Sequence, residues 1–243
     1  MPFQYRIGSG TPRTISPLIG CIPLLIAFSL MCLLPVFLYD TARFAFERLG
    51  LSPGLAALVV IGIVIGSVIN IPLYDIRKDE LQPQSSLGPL GMMVEKTYRR
   101  VQSRTVIAIN VGGCVIPVLV AALQLMRLSR AGEGPLLTAL IVSAVSIGVC
   151  WWAARPMEGI GILIPGFIPP LVSVLGTWLF LSQGTPDQRA ATAFLAGVAG
   201  PLIGADLLHL REMTKTPVAV VAIGGAGTFD GIVLSGVLAA LWA

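Results

Sequence analysis

A chain of 243 residues that is 55% hydrophobic and only 12% charged is too poor in charge for a soluble domain, which carries about 25%. Its formal net charge of +4 needs no nucleic-acid partner, because basic residues on one side of a membrane account for it. The composition excludes a soluble globular enzyme and predicts an all-α polytopic membrane protein, a single integral domain over 1–243 whose first partner is the lipid bilayer.

A membrane span needs about 20 apolar residues. That criterion predicts about seven transmembrane helices, at 17–39, 52–74, 105–126, 135–153, 160–181, 190–210 and 217–243. The first run follows Arg6 and Arg13 in the manner of a signal peptide, but it exceeds the ~7–15 residues of such a core and no small-x-small site closes it, so it reads as retained. The long, charged connection at 75–104 reads as a cytosolic loop with an amphipathic surface helix around Met92 to Arg104. Cys21, Cys32, Cys114 and Cys150 lie in apolar runs without metal spacing and read as packed small hydrophobes. Neither a metal nor a cofactor is implied. Eleven of the sixteen Lys and Arg residues fall on the side of the N-terminus, so the positive-inside rule predicts a plasma (inner) membrane protein with its N-terminus cytoplasmic and its C-terminus outside.

Three spans are predicted to be broken. Span three reads Ile-Asn-Val-Gly-Gly-Cys-Val-Ile-Pro over Ile109 to Pro117, span five carries Pro165, Pro169 and Pro170, and span seven carries Gly224, Gly225 and Gly227. Proline removes a donor and clusters of glycine permit unwinding. Unwound backbone at membrane depth survives only where protein or a water-filled cavity satisfies it.

The only charges inside these spans are two acids, Asp206 after Gly-Pro-Leu-Ile-Gly-Ala and Asp230 after Gly-Gly-Ala-Gly-Thr-Phe. An acid at bilayer depth costs about 2.5–3.5 kcal/mol on insertion scales, so it persists where it pairs, meets water or does chemistry. Asp206 precedes the interfacial Arg211 by five residues, a depth of about 7–8 Å in a helix. A continuous helix from Lys215 would bury Asp230 by ~22 Å. The β-branched run Pro217 to Ile223 and the glycines behind it instead suit an extended or re-entrant piece before the last helix. Thr228 then caps that helix, and Asp230 falls in its first turn, where the helix dipole favours an anion.

Two carboxylates at matched depth share a proton, and one then acts as base while the other acts as acid. The candidate catalytic residues are therefore Asp206 and Asp230. Gly204, Gly224, Gly225, Gly227, Thr228 and Gly231 shape the backbone around them, Asn110 hydrogen-bonds a protonated acid or joins two helices, and Pro169 opens the break in span five. His209, one helical turn after Asp206, reads as an interfacial side chain touching headgroups more readily than as a proton relay.

One Asp on one span and a Gly-x-Gly-Asp on another is the pattern of the intramembrane aspartyl proteases, which include presenilin, signal peptide peptidase and the type IV prepilin peptidases. The pair here resembles it, with Gly227-Thr228-Phe229 before Asp230 and Gly204-Ala205 in place of tyrosine before Asp206. Gly66 to Asn70 is similar to a prepilin-peptidase segment, and Pro169-Pro170-Leu171 to the presenilin Pro-Ala-Leu motif in a different chain order. A longer resemblance covers most of the chain. Asn110 to Gly113, Pro165 to Pro170, Gly204 to Asp206 and Ile223 to Ile232 together resemble a prokaryotic multi-pass membrane family known as domain of unknown function 1614, which implies no activity. Three functions stay open: a hydrolase acting on a transmembrane peptide substrate, a proton- or ion-coupled transporter or channel, and a non-catalytic membrane scaffold. Neither the substrate nor the oligomeric state is set by the residues.

Overall fold

The computed structural model describes residues 17–87, 94–157, 161–213, 220–225 and 231–243. The chain divides into two compact units, Met1–Thr41 and Ala42–Ala243, where composition alone reads one. Helix α1 runs over Pro17–Arg48, and in the first unit its apolar residues from Ile26 to Phe37 are exposed, as suits a helix facing lipid.

In the second unit, Gly50 turns the chain at a φ of 74° into α2, Pro53–Gly66, which a proline opens where its missing N–H costs nothing. Strands β1, Asn70–Leu87, and β2, Val94–Asn110, form an antiparallel hairpin with Asn70 opposite Asn110 and Leu87 opposite Val94. A π-helical turn π1, Val111–Val115, leads into α3, Ile116–Ala131. Helix α4, Glu133–Ala153, follows, then short paired strands β3, Arg155–Met157, and β4, Gly161–Leu163. Helix α5, Ile168–Phe180, precedes α6, Pro186–Ala199, which is started by a capping box between Thr185 and Gln188. A second π-helical stretch π2, Gly200–Leu207, continues α6 and is followed by the short α7, Leu210–Met213. Strand β5, Val220–Ile223, lies parallel to β2, with Val106 opposite Val220 and Ile109 opposite Ile223. Helix α8, Gly231–Trp242, ends the fold.

The protein is mostly helical but not all-α. The surface helix expected near 92–104 is strand β2 instead. Thr97, Tyr98, Val101, Thr105, Val106, Ile107 and Ile109 are residues that favour a pleated backbone, and β1 pairs with this strand from Val94 opposite Leu87 to Asn110 opposite Asn70.

Among the described residues four helical segments are long and apolar enough to cross a membrane: Ile26–Arg48, Val111–Ala131, Glu133–Ala153 and Pro186–Leu207. Helix α4, with 21 residues, measures about 31 Å and matches the ~30 Å hydrocarbon core. The remaining expected spans hold the shorter apolar helices α2, α5 and α8, of 14, 13 and 12 residues, about 18–21 Å each. Among the described residues the count of seven full spans is therefore not reached. The missing turns are drawn out as extended backbone at the start of β1, in β4 and in β5.

Close helix packing holds the second unit together. Phe46 meets Phe194 edge-on at 5.9 Å, and Ala139, Ala193, Ala196 and Ala239 are fully buried, the small-residue contact that lets membrane helices approach. Helices α4 and α6 run in the same direction, since Ala139 packs with Ala191 and Ser146 lies against Gly200. The Arg48 guanidinium donates to the Leu241 carbonyl, and Trp178 Nε1 donates to the Trp242 carbonyl at 3.3 Å.

Candidate functional site

Asp206 stands in π2, half-buried. Pro201 removes a helical donor just ahead of it, and Gly200 and Gly204 let the widened helix press onto α4. A Cβ on Gly204 would strike the Ile147 carbonyl oxygen and lie 2.9 Å from Trp151 N. No other residue fits there, so Gly204 sets how far Asp206 reaches into the bundle.

The carboxylate points at the end of β5. Its Oδ2 accepts the Gly224 N–H at 2.9 Å. Gly224 and Gly225 both have left-handed backbone, with φ of 83° and 73°, a conformation that ends the strand and favours glycine. A Cβ on Gly224 would lie 2.6 Å from Cys114 Cβ and 2.8 Å from Cys114 N. The acid, the strand end and π1 therefore meet at one point, over an apolar cluster of Ile107, Cys114 and Ile223.

Asn110 organises the far side of this junction. Fully buried, it caps π1 by accepting the Gly113 N–H on Oδ1 at 2.7 Å. Its Nδ2 donates to the Ser67 carbonyl at 2.6 Å and to Asn70 Oδ1 at 3.1 Å. These bonds commit the amide to joining α2, β1 and π1, the second of the two roles read from the sequence. Ser67, Asn70 and Gly112 are members of the junction that the sequence reading did not single out as a site. A Cβ on Gly112 would strike Ile63 O and Ser67 N, so α2 and π1 are in backbone contact there. The available signal was a pair of asparagines, the first residue of β1 and the last of β2.

His209 is buried, at 7% exposure, and not a headgroup contact as expected. Its Nδ1 lies 3.1 Å from both the Gly204 and Ala205 carbonyls. Two acceptors at one nitrogen assign the proton to Nδ1. Nε2 is 3.9 Å from a Glu212 carboxylate oxygen, and the ring is 6.4 Å from that of Trp151. His209 thus clasps the backbone immediately before Asp206, because the π-helical stretch frees carbonyls that a regular helix would bond.

Pro169 stands in the first turn of α5, where it starts the helix, and its carbonyl accepts the Ser173 hydroxyl at 2.8 Å. Gly231 is the first residue of α8. Gly227, Thr228 and Asp230 lie outside the described residues, between Gly225 and Gly231. Cys114 and Cys150 are buried and Cys32 is exposed. Among the described residues no group of three His, Cys, Asp or Glu side chains converges as a metal site would require.

Asn110→Ala tests the junction. It leaves the Gly113 N–H and the Ser67 carbonyl without their partner, at about 1–3 kcal/mol for each buried group. We expect a loss of about 2–4 kcal/mol of unfolding free energy in detergent, read from denaturant titration. A loss below about 0.5 kcal/mol would show the cap to be dispensable.

The profile of the family described as "Protein of unknown function (DUF1614)" matches residues 64–242, a stretch that holds Asn110, Asp206, Gly224 and Asp230. No curated protein and no solved structure matches the chain. The chain belongs to this family.

Proposed function

We propose that this member of the family is an intramembrane aspartyl-protease-like hydrolase that cuts a membrane-spanning peptide with Asp206 and Asp230. The observation that carries the reading is the Asp206 carboxylate held by the Gly224 N–H. It ties the first acid to the glycine that ends an extended strand, six residues ahead of the second acid in the sequence. In this reading the N-terminus is cytoplasmic and both acids work in the cytosolic half of the plasma membrane.

The chemistry divides between the two acids. A backbone N–H donating to Oδ2 suits an ionised carboxylate, so Asp206 takes the proton from the attacking water. Asp230 carries the shared proton and gives it to the peptide carbonyl oxygen as the water oxygen bonds to the carbonyl carbon. Collapse of the tetrahedral diol breaks the C–N bond. The proton on Asp206 passes to the leaving nitrogen, and the diol returns one to Asp230. Water enters as the only co-reactant.

A proton-coupled transporter is the second reading, favoured by two π-helical interruptions within long apolar helices, since such breaks also line ion paths. Cleavage tests the first. Purified protein in detergent or liposomes should cut a single-span helical peptide with a bell-shaped pH profile, one limb from the carboxylate that must be ionised and one from the carboxylate that must hold a proton. Absence of cleavage across a panel of such peptides at every pH would sink the hydrolase reading.

A further inference from the structure

We infer that a cavity at the end of the bundle opposite Asp206 holds the phosphoethanolamine group of a membrane lipid. The inference does not depend on the chemistry assigned to the two acids.

The cavity, of about 280 Å³, opens where α1 and α3 end and α6 begins. Buried Leu49, Leu128 and Ala191 line its inner part, and exposed Gly50, Arg127 and Asp187 line its rim. Asp187 is the second residue of the apolar segment Pro186–Leu207, whose other end carries Asp206, and Arg127 stands near the end of the apolar segment Val111–Ala131. Both charges therefore sit where a span meets the headgroup layer.

The polar groups here suit a ligand that carries both charges. The Arg127 guanidinium donates to the Leu49 carbonyl and, from Nη2, to the Gly50 carbonyl at 3.1 Å. Gly50 leaves room for it, since a Cβ there would lie 2.8 Å from Arg127 Nη1. These bonds fix the guanidinium without neutralising it. Neither Arg127 nor Asp187 takes part in an ion pair among the described residues, so two opposite charges share one cavity without meeting. Gln124, at 1% exposure, also lines it. Its Nε2 donates to the Leu49 carbonyl at 3.3 Å, and no donor reaches its Oε1 among the described residues. Gln188 is the reverse: its Oε1 accepts the Thr185 N–H at 3.1 Å, which leaves its Nε2 as a donor.

A guanidinium and an amide N–H bind a phosphate, and a carboxylate and a buried amide oxygen accept from a primary ammonium. A choline cannot donate and is held instead by aromatic rings, yet no Trp, Tyr or Phe lines this cavity. A phosphoglycerol group brings no cation for Asp187. The volume lies just under the about 300–1,000 Å³ of sites for drug-sized molecules, as suits a small headgroup. Leu123 and Leu119 follow Arg127 at intervals of four down one face of α3, and both are exposed. They give an acyl chain an apolar track below the headgroup, which a soluble zwitterion would leave unused.

Native mass spectrometry of the purified protein, released from detergent, tests the site. Dioleoyl lipids with phosphoethanolamine, phosphocholine and phosphoglycerol headgroups are added singly at equal concentration. The wild type should retain one phosphoethanolamine lipid under activation that removes the other two. Asp187→Asn deletes an exposed charge and should weaken that retention about tenfold, without weakening retention of the phosphoglycerol lipid. Arg127→Gln should weaken retention of the phosphoethanolamine lipid as strongly. If losing the two carbonyl bonds keeps that variant from folding, Asp187→Asn decides alone. Equal retention of the three lipids, or wild-type retention by Asp187→Asn, overturns the proposal. Preference for phosphoglycerol makes the cavity an anion site only and overturns it too. Soluble glycerophosphoethanolamine separates the two sources of the group. It should displace the lipid only at a concentration about a hundredfold higher or more, because it lacks the acyl chains. Displacement at equal concentration would overturn the lipid as occupant.

Discussion

Gly224→Val should destabilise the protein by about 2–5 kcal/mol, the sum of a left-handed backbone penalty of about 1–2 and an overpacking cost of about 1–3. The site shows why both penalties apply. The φ of 83° is one that a β-branched residue does not hold, and the new Cβ would lie 2.6 Å from Cys114 Cβ. Relief requires β5 to shift, which pulls the Gly224 N–H off Asp206, so function should fall with stability. Gly62→Val adds the same bulk inside α2. There the Cβ would sit 3.3 Å from Ile116 Cδ1, the movable end of a side chain, and the expected cost is about 1 kcal/mol or less. Thermal unfolding of the two variants in detergent measures the contrast. Equal tolerance would mean that the strand end is not the rigid junction described.

The extended course of β5 was legible in the sequence. Pro217 to Ile223 is a β-branched run stopped by two glycines, and a continuous helix through it would have carried Asp230 far deeper than Asp206. Local composition and a depth argument agreed, and the strand Val220–Ile223 bears out the extended backbone. The hairpin was not legible. Its charge pattern at 75–104 suits one face of a surface helix as well as it suits strands, and the deciding fact is a pairing partner remote in sequence, Asn70 against Asn110. Non-local pairing leaves no periodicity of its own in a single segment.

The site divides along the same line. Gly204 and Gly224 were legible as places where backbone comes close, because only glycine permits it. The commitment of Asn110 to Ser67 and Asn70 was not, since both partners lie 40 or more positions upstream. His209 shows a different failure. Its distance from Arg211 suggested the membrane surface, on the assumption of a regular helix. The π-helical stretch frees the carbonyls of Gly204 and Ala205, and the imidazole turns inward to meet them. Hydrophobic periodicity does not report such widening, although Gly200-Pro201 marks where it begins.

Asp206→Asn and Asp230→Asn should each abolish peptide cleavage, a loss of at least 10³-fold and one that no pH restores. An amide keeps the shape of the carboxylate but neither accepts nor releases the proton. In the Asp206 variant the amide oxygen can still accept the Gly224 N–H, so stability should change by less than about 1 kcal/mol. Unfolding measured alongside activity therefore separates lost chemistry from lost structure. A proton-coupled transporter gives a different result. One Asn substitution would uncouple movement from the gradient and leave exchange or downhill flux in place. Proteoliposomes loaded with a pH-sensitive dye read that flux while a labelled single-span peptide in the same membrane reads cleavage. Proton-dependent flux in the wild type, surviving as uncoupled leak in one Asn variant and accompanied by no cleavage, would replace the hydrolase with a transporter built on the same two acids.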